Sequence, residues 1–113
     1  VNQNLEMKKA LKILSNKKLG ILVVRNKQNN TLGIITDGQI RRFNQRNLNL
    51  NSIQVREIMT KNPVSVDENV LAAKALSIMN SKKITSLCVH DKNNKYKTIG
   101  VIHIHNILQS NIS

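Results

Sequence analysis

The chain is poor in aromatic residues, cysteine and acids, and each shortage removes a class of function. Phe43 and Tyr96 are its only aromatic side chains, and tryptophan is absent. A core must therefore be built from Ile, Leu, Val, Met and Ala, within a hydrophobic fraction of 40%. Two rings are also too few to stack a run of bases, which argues against single-stranded nucleic acid as a partner. Cys88 stands alone, so no internal disulfide can form. Its neighbours Leu87 and Val89 predict a buried strand thiol, and the setting expected is cytoplasmic. No apolar run approaches the roughly 20 residues that span a bilayer, and no secretory signal is present, so no membrane partner is expected. The chain opens at Val1 rather than methionine and reads as a piece of something longer.

Acids are scarce against bases. Six Asp and Glu face 18 Lys and Arg, for a net charge of +12. Such a balance can mark a nucleic-acid or membrane surface. Here, however, the lysines come singly or in pairs (Lys8-Lys9, Lys17-Lys18, Lys82-Lys83) among abundant Asn and Ile. AT-rich coding sequence gives the same composition, and no specific nucleic acid is expected.

What the chain does have is a strand-to-helix junction used twice. Gly33-Ile34-Ile35-Thr36-Asp37-Gly38-Gln39-Ile40 reads as an apolar strand, a polar turn and a helix start. A threonine hydroxyl followed by fresh helix N–H groups suits a phosphate. The design returns as Gly100-Val101-Ile102-His103-Ile104-His105-Asn106-Ile107.

The rest of the chain repeats around these junctions. Apolar positions at Met7, Ala10, Leu11 and Leu14 predict a helix capped by Asn4. Ile21 to Val24 and Thr31 to Thr36 read as strands, and a short helix runs through Arg41-Arg42-Phe43. Asn44 to Ser52 reads as a linker, and Val55 to Thr60 as one helical turn. Pro63 biases Asn62 toward an extended conformation and starts a strand over 63–66. Asn69 then echoes Asn4 as a cap, and Leu71 to Met79 carries a second helical stripe. Lys9-Ala10-Leu11 returns as Lys74-Ala75-Leu76, and Lys17-Lys18-Leu19 as Lys82-Lys83-Ile84, each 65 positions later. The glycines Gly33 and Gly100 lie 67 apart, so the second copy gains two residues in its 92–97 loop. Val1 then matches Val66, and the first copy lacks most of its opening strand.

With strand–helix–strand–strand–helix written twice, the sequence resembles a tandem pair of cystathionine-β-synthase (CBS) domains. Met59-Thr60-Lys61-Asn62-Pro63, the Ala72 to Met79 helix and both junctions carry the resemblance. It implies an α/β (α+β) fold of two β-α-β-β-α repeats. Repeat 1 spans 1–47 and repeat 2 spans 59–113, with a linker over 48–58. Gly33 to Arg42 and Gly100 to Leu108 further resemble stretches of the D-arabinose 5-phosphate isomerase family, whose catalytic sugar isomerase domain has no counterpart here. The resemblance implies the regulatory region of such an enzyme, in the pathway to the lipopolysaccharide sugar Kdo. It also implies a homodimer and an anionic ligand in the cleft between repeats, with the nucleotide sugar CMP-Kdo as candidate and no other cofactor. The alternatives are a structural module that binds nothing, and an adenosine-sensing CBS pair of another protein.

CBS pairs that bind adenosine nucleotides often carry Gly-x-x-Thr-x-x-Asp. This chain keeps Thr36 but has Gln39 at the Asp position, and His103 and Asn106 stand at the second pair of positions. Amides replace both carboxylates, which weakens the case for tight adenosine binding. The candidate ligand-binding residues are Thr36, Asp37, Gln39, Arg41, Arg42, Asn62, Pro63, His103, His105 and Asn106. Asp37 is read first as a helix cap, while Arg41 and Arg42 can clamp a phosphate. His103 and His105 alternate on a strand, but His90 is the only further histidine, and no metal site is expected. Nothing assembles a nucleophile, a base and oxyanion donors, so no catalysis is expected within these residues. If the charge is compositional, DNA binding will be weak, indifferent to sequence and lost on raising salt. A sequence-selective complex that survives physiological salt in a mobility-shift assay would overturn this.

Overall fold

The computed structural model describes residues 1–16, 20–45 and 52–104. The chain divides into two compact units, Val1–Asn62 and Pro63–Ser113. In the first, α1 (Met7–Asn16) precedes β1 (Ile21–Arg25), β2 (Thr31–Thr36) and α2 (Asp37–Gln45), followed by α3 (Val55–Ile58) and β3 (Thr60–Lys61). In the second, β4 (Ser65–Asp67) leads to α4 (Ala72–Lys82), β5 (Ser86–Asp91) and β6 (Asn94–His103). Each unit carries one three-stranded sheet, ordered β1-β2-β3 and β4-β5-β6.

The repeat survives at the level of single hydrogen bonds. β4 runs parallel to β5, with Asp67 opposite His90. At the matching place Asn2 bridges in parallel to Arg25, and Arg25 N–H donates to Val1 O at 2.8 Å. Val1 and Asn2 are thus the stub of the opening strand. The β1–β2 and β5–β6 hairpins also match, with Val24 opposite Gly33 and Val89 opposite Gly100. The shift at Val24/Arg25 returns at Val89/His90, and the second hairpin adds another between His90 and Asp91 that takes up its extra residues, because a bulge absorbs extra residues without moving the paired strands beyond it.

Both cores are aliphatic, as the shortage of rings requires. Met7, Ala10, Leu14, Leu22, Val24 and Ile35 close around Val55 and Ile58 in the first unit. Val66, Ala75, Met79 and Leu87 form the second core. Cys88 is buried on β5.

Three local expectations are corrected. Neither Asn4 nor Asn69 caps a helix. Asn4 N–H donates to Asn2 Oδ1 and Asn69 N–H to Asp67 Oδ1, both at 2.8 Å, in tight turns that come before the helices. An Asx side chain two residues back satisfies the amide, so the helices start later, at Met7 and Ala72. Asn62 is left-handed, with φ 50°, instead of extended. Its N–H reaches Leu32 O at 3.2 Å, and asparagine tolerates that region better than most residues. Strand β4 consequently begins at Ser65, two residues after Pro63.

Sequence spacing places residues 59–62 with the second repeat, whereas the hydrogen bonds of β3 are made to the first. β3 pairs antiparallel with β2, Gly33 facing Lys61 and Ile34 facing Thr60. A Cβ on Gly33 would sit 2.5 Å from Thr60 O and 2.9 Å from Met59 Sδ. Only glycine lets β3 lie this close. Its counterpart Gly100 has nothing within 4 Å. Gly33→Ala is therefore expected to lower stability by about 1–3 kcal/mol through overpacking, while Gly100→Ala leaves it within about 0.5 kcal/mol or raises it. Urea unfolding of both variants measures the contrast, and equal effects would contradict the close approach.

Candidate functional site

The first junction is organised by a reciprocal cap. Thr36 ends β2 and stands immediately before α2. Its Oγ1 accepts from Gln39 N–H at 3.3 Å, and Gln39 Oε1 accepts from Thr36 N–H at 2.8 Å. Threonine followed three residues later by glutamine is the capping-box pattern, which satisfies two orphan donors at once. Thr36 therefore takes the capping role that the sequence reading gave to Asp37, which forms the first residue of α2.

Gln39 goes further than a cap. Its side chain is only 7% exposed. Nε2 donates to Thr60 Oγ1 at 2.6 Å and to Ile58 O at 3.3 Å, while Oε1 also accepts from Thr36 Oγ1 at 3.3 Å. Both amide hydrogens and both lone pairs are engaged within the protein. A carboxylate here could not donate to Ile58 O, so the replacement of Asp by Gln ties α2 to the α3–β3 segment. Thr60 is the residue that sequence reasoning missed. It lies inside the Met59 to Pro63 stretch, but the contact to Gln39 spans 21 positions and leaves no local signal.

Around this cap the structure gathers some of the expected residues. Arg42 lies one turn along α2, and its Nη1 would be 3.5 Å from a Cβ on Gly38, with Thr36 Oγ1 3.8 Å from the same point. The guanidinium thus folds back over Gly38 to the opening of its own helix. Asp37 Oδ2 would be 2.6 Å from a Cβ on Gly20, which has φ 68°, so that carboxylate turns toward Gly20. Arg41 is exposed. Asn62 is not part of this cluster. Its N–H bonds Leu32 O, four residues back from Thr36 along β2, about 13 Å at the usual strand rise. Pro63 opens the second unit, and His103 ends β6 there, opposite Ser86. His105 and Asn106 lie outside the described residues.

Removing the Gln39 amide should be costly. Gln39→Glu keeps the shape but sets a carboxylate oxygen against Ile58 O, and is expected to destabilise by about 1–3 kcal/mol. Thr36→Ala should cost about 1 kcal/mol through the lost cap. The double variant should cost less than the sum, since both residues share one network. Strict additivity in denaturant titrations would show that the cap and the amide act independently.

The family model for the CBS domain matches residues 1–46 and again 55–112. An uncharacterised protein of Rickettsia prowazekii is 39% identical over 101 residues, covering 89% of this chain and 30% of its own length. The arabinose 5-phosphate isomerase KdsD of Yersinia pestis is 32% identical over 112 residues, covering 99% of this chain and 33% of the enzyme. The chain thus spans about a third of the length of these relatives. Among solved structures, a CBS-domain protein of Pyrobaculum aerophilum complexed with AMP has a TM-score of 0.83 over 94% of this chain and 79% of its own, at 18% identity, a likeness of fold alone. Two family matches in tandem, with parallel opening-strand pairings and hairpins that correspond between the copies, establish that this chain belongs to the CBS-domain family as a tandem pair.

Proposed function

We propose that the chain is the regulatory part of a longer sugar-phosphate isomerase of the arabinose 5-phosphate type, and that its first unit holds the phosphate of a nucleotide or nucleotide sugar. The observation that carries the ligand half is the Arg42 guanidinium folded over Gly38 beside Thr36. In the first turn of α2, Asp37 N–H is bonded to Gly20 O and Gln39 N–H to Thr36 Oγ1. Between them stands Gly38 N–H, with no side chain to screen it and a guanidinium alongside. A helix start plus an adjacent cation is a favourable seat for a phosphate. Similarity to the Yersinia pestis isomerase along 99% of the chain supports the parent enzyme. The AMP complex of the Pyrobaculum aerophilum protein supports the nucleotide class.

The ligand chosen for the first test is CMP-Kdo, whose phosphate and sugar carboxylate together suit the adjacent cations Arg41 and Arg42. Gln39 enters this reading as the support of the helix start, since its amide is spent on Thr36, Ile58 and Thr60. Isothermal calorimetry is expected to show CMP-Kdo binding more tightly than AMP or ATP. Arg42→Ala should weaken it at least about tenfold, the equivalent of a lost charge-assisted bond of about 1.5–3 kcal/mol. Thr36→Ala should weaken it too, by loosening the cap. Equal or tighter binding of AMP would overturn the nucleotide-sugar assignment. No heat with any of the three would favour a structural module that binds nothing.

A further inference from the structure

The chain has three methionines, and the fold treats one of them differently. Met7 and Met79 are enclosed in the two cores, each 0% exposed. Met59 is half-buried, packed against the first core with part of its surface still in water. Its thioether lies against β2, where a Cβ on Gly33 would sit 2.9 Å from Met59 Sδ and 3.0 Å from its Cγ. The sulfur thus fills the space that the glycine leaves. Gly100 has nothing within 4 Å, so the second unit has no counterpart to this contact.

The neighbours of Met59 in the chain give its packing a longer reach. Gln39 Nε2 donates to Ile58 O at 3.3 Å and to Thr60 Oγ1 at 2.6 Å, and these are the residues directly before and after Met59. Met59 N–H bonds Val55 O at 3.0 Å as α3 ends, and Thr60 faces Ile34 as β3 begins. Both acceptors of the Gln39 amide are therefore carried by the short stretch that the Met59 side chain holds against β2. The same amide accepts from Thr36 N–H at 2.8 Å and so supports the start of α2.

We propose that Met59 is a modification site, at which reversible oxidation to the sulfoxide loosens the Gln39 network and with it the start of α2. The co-reactant is a peroxide. The S–O bond forms as the O–O bond breaks; the sulfur gives up two electrons, and the other oxygen leaves as water with both protons. Exposure selects the site, since Met7 and Met79 can react only when a core opens. The product carries a polar S=O bond where a thioether packed on aliphatic side chains. A polar group held there without a donor is costly, so the side chain withdraws toward water. Residues 58–60 shift with it, and Gln39 loses its two acceptors. No phosphate takes part in this coupling, so it stands independently of the ligand reading.

The test treats the 113-residue protein with hydrogen peroxide and follows it by mass and by NMR. Trypsin places the three methionines on separate fragments, residues 1–8, 57–61 and 75–82. One added oxygen is expected on fragment 57–61 at least about tenfold faster than on the other two. At that stage the urea midpoint should fall, and the side-chain amide hydrogens of Gln39 should exchange at least about tenfold faster. Methionine sulfoxide reductases for both epimers, with a dithiol as reductant, should restore both properties. Met59→Leu, a swap of similar volume, should keep its midpoint through the same treatment. Oxygen reaching the Met7 or Met79 fragment first would overturn the proposal. So would a protein oxidised only at Met59 whose midpoint and Gln39 exchange are unchanged, or an equal loss in Met59→Leu. If that variant does not fold, the reductases decide: a loss that they leave in place comes from other damage and counts against the site.

Discussion

The first unit depends on the carboxamide of Gln39. Nearly closed off from water, it makes four hydrogen bonds that join the end of β2, the start of α2 and the α3–β3 return. A buried amide left unpaired costs far more than each bond gains, so the network holds as a set. The position can be filled neither by an apolar residue nor by a carboxylate without orphaning Thr60 or Ile58 O. Gly33 supplies the other condition, since β3 can reach Thr60 into place only where β2 carries no side chain. One glycine and one glutamine thereby fix how the α3–β3 segment sits on the first sheet.

Duplication explains most of the architecture, and the departures from it are informative. The stub of the opening strand, the turns before both helices and the two hairpin registers agree bond for bond. The copies differ where one has had to accept a neighbour. Gly33 is crowded and Gly100 is open; the edge at residues 3–7 is covered by Ile53 to Arg56, while the edge at 68–72 presents an exposed leucine.

Membership of the CBS-domain family describes the fold, and the chemistry has to be read from the junctions. At the first junction the positive charge lies on α2 itself, with Arg42 folded back to the helix opening. At position 39 the amide makes its hydrogen bonds within the protein, to Thr36, Ile58 and Thr60. The cation beside Gly38 is the feature on which the proposed anion binding rests. Among the described residues no helix is long and apolar enough to cross a membrane.

How much was legible in the sequence follows from the range of the interactions involved. Helices, strands, the 65-residue repeat and the aliphatic core could be read because periodicity and turn chemistry are local, set within a few residues of each position. The Val1–Val66 correspondence was legible for the same reason, since a duplicated pattern carries its own register. Three things were decided only by the fold. The left-handed Asn62 goes against the local bias of Pro63, with its N–H bonded to Leu32 O on the neighbouring strand. The allegiance of β3 to the first sheet depends on a glycine nearly thirty residues away. The Gln39–Thr60 bond joins residues that no spacing rule connects, so the scaffold role of position 39 could not be read from its place in the chain. Short-range preferences are written residue by residue, whereas the partner of a buried polar group is settled only when the backbone brings one within reach.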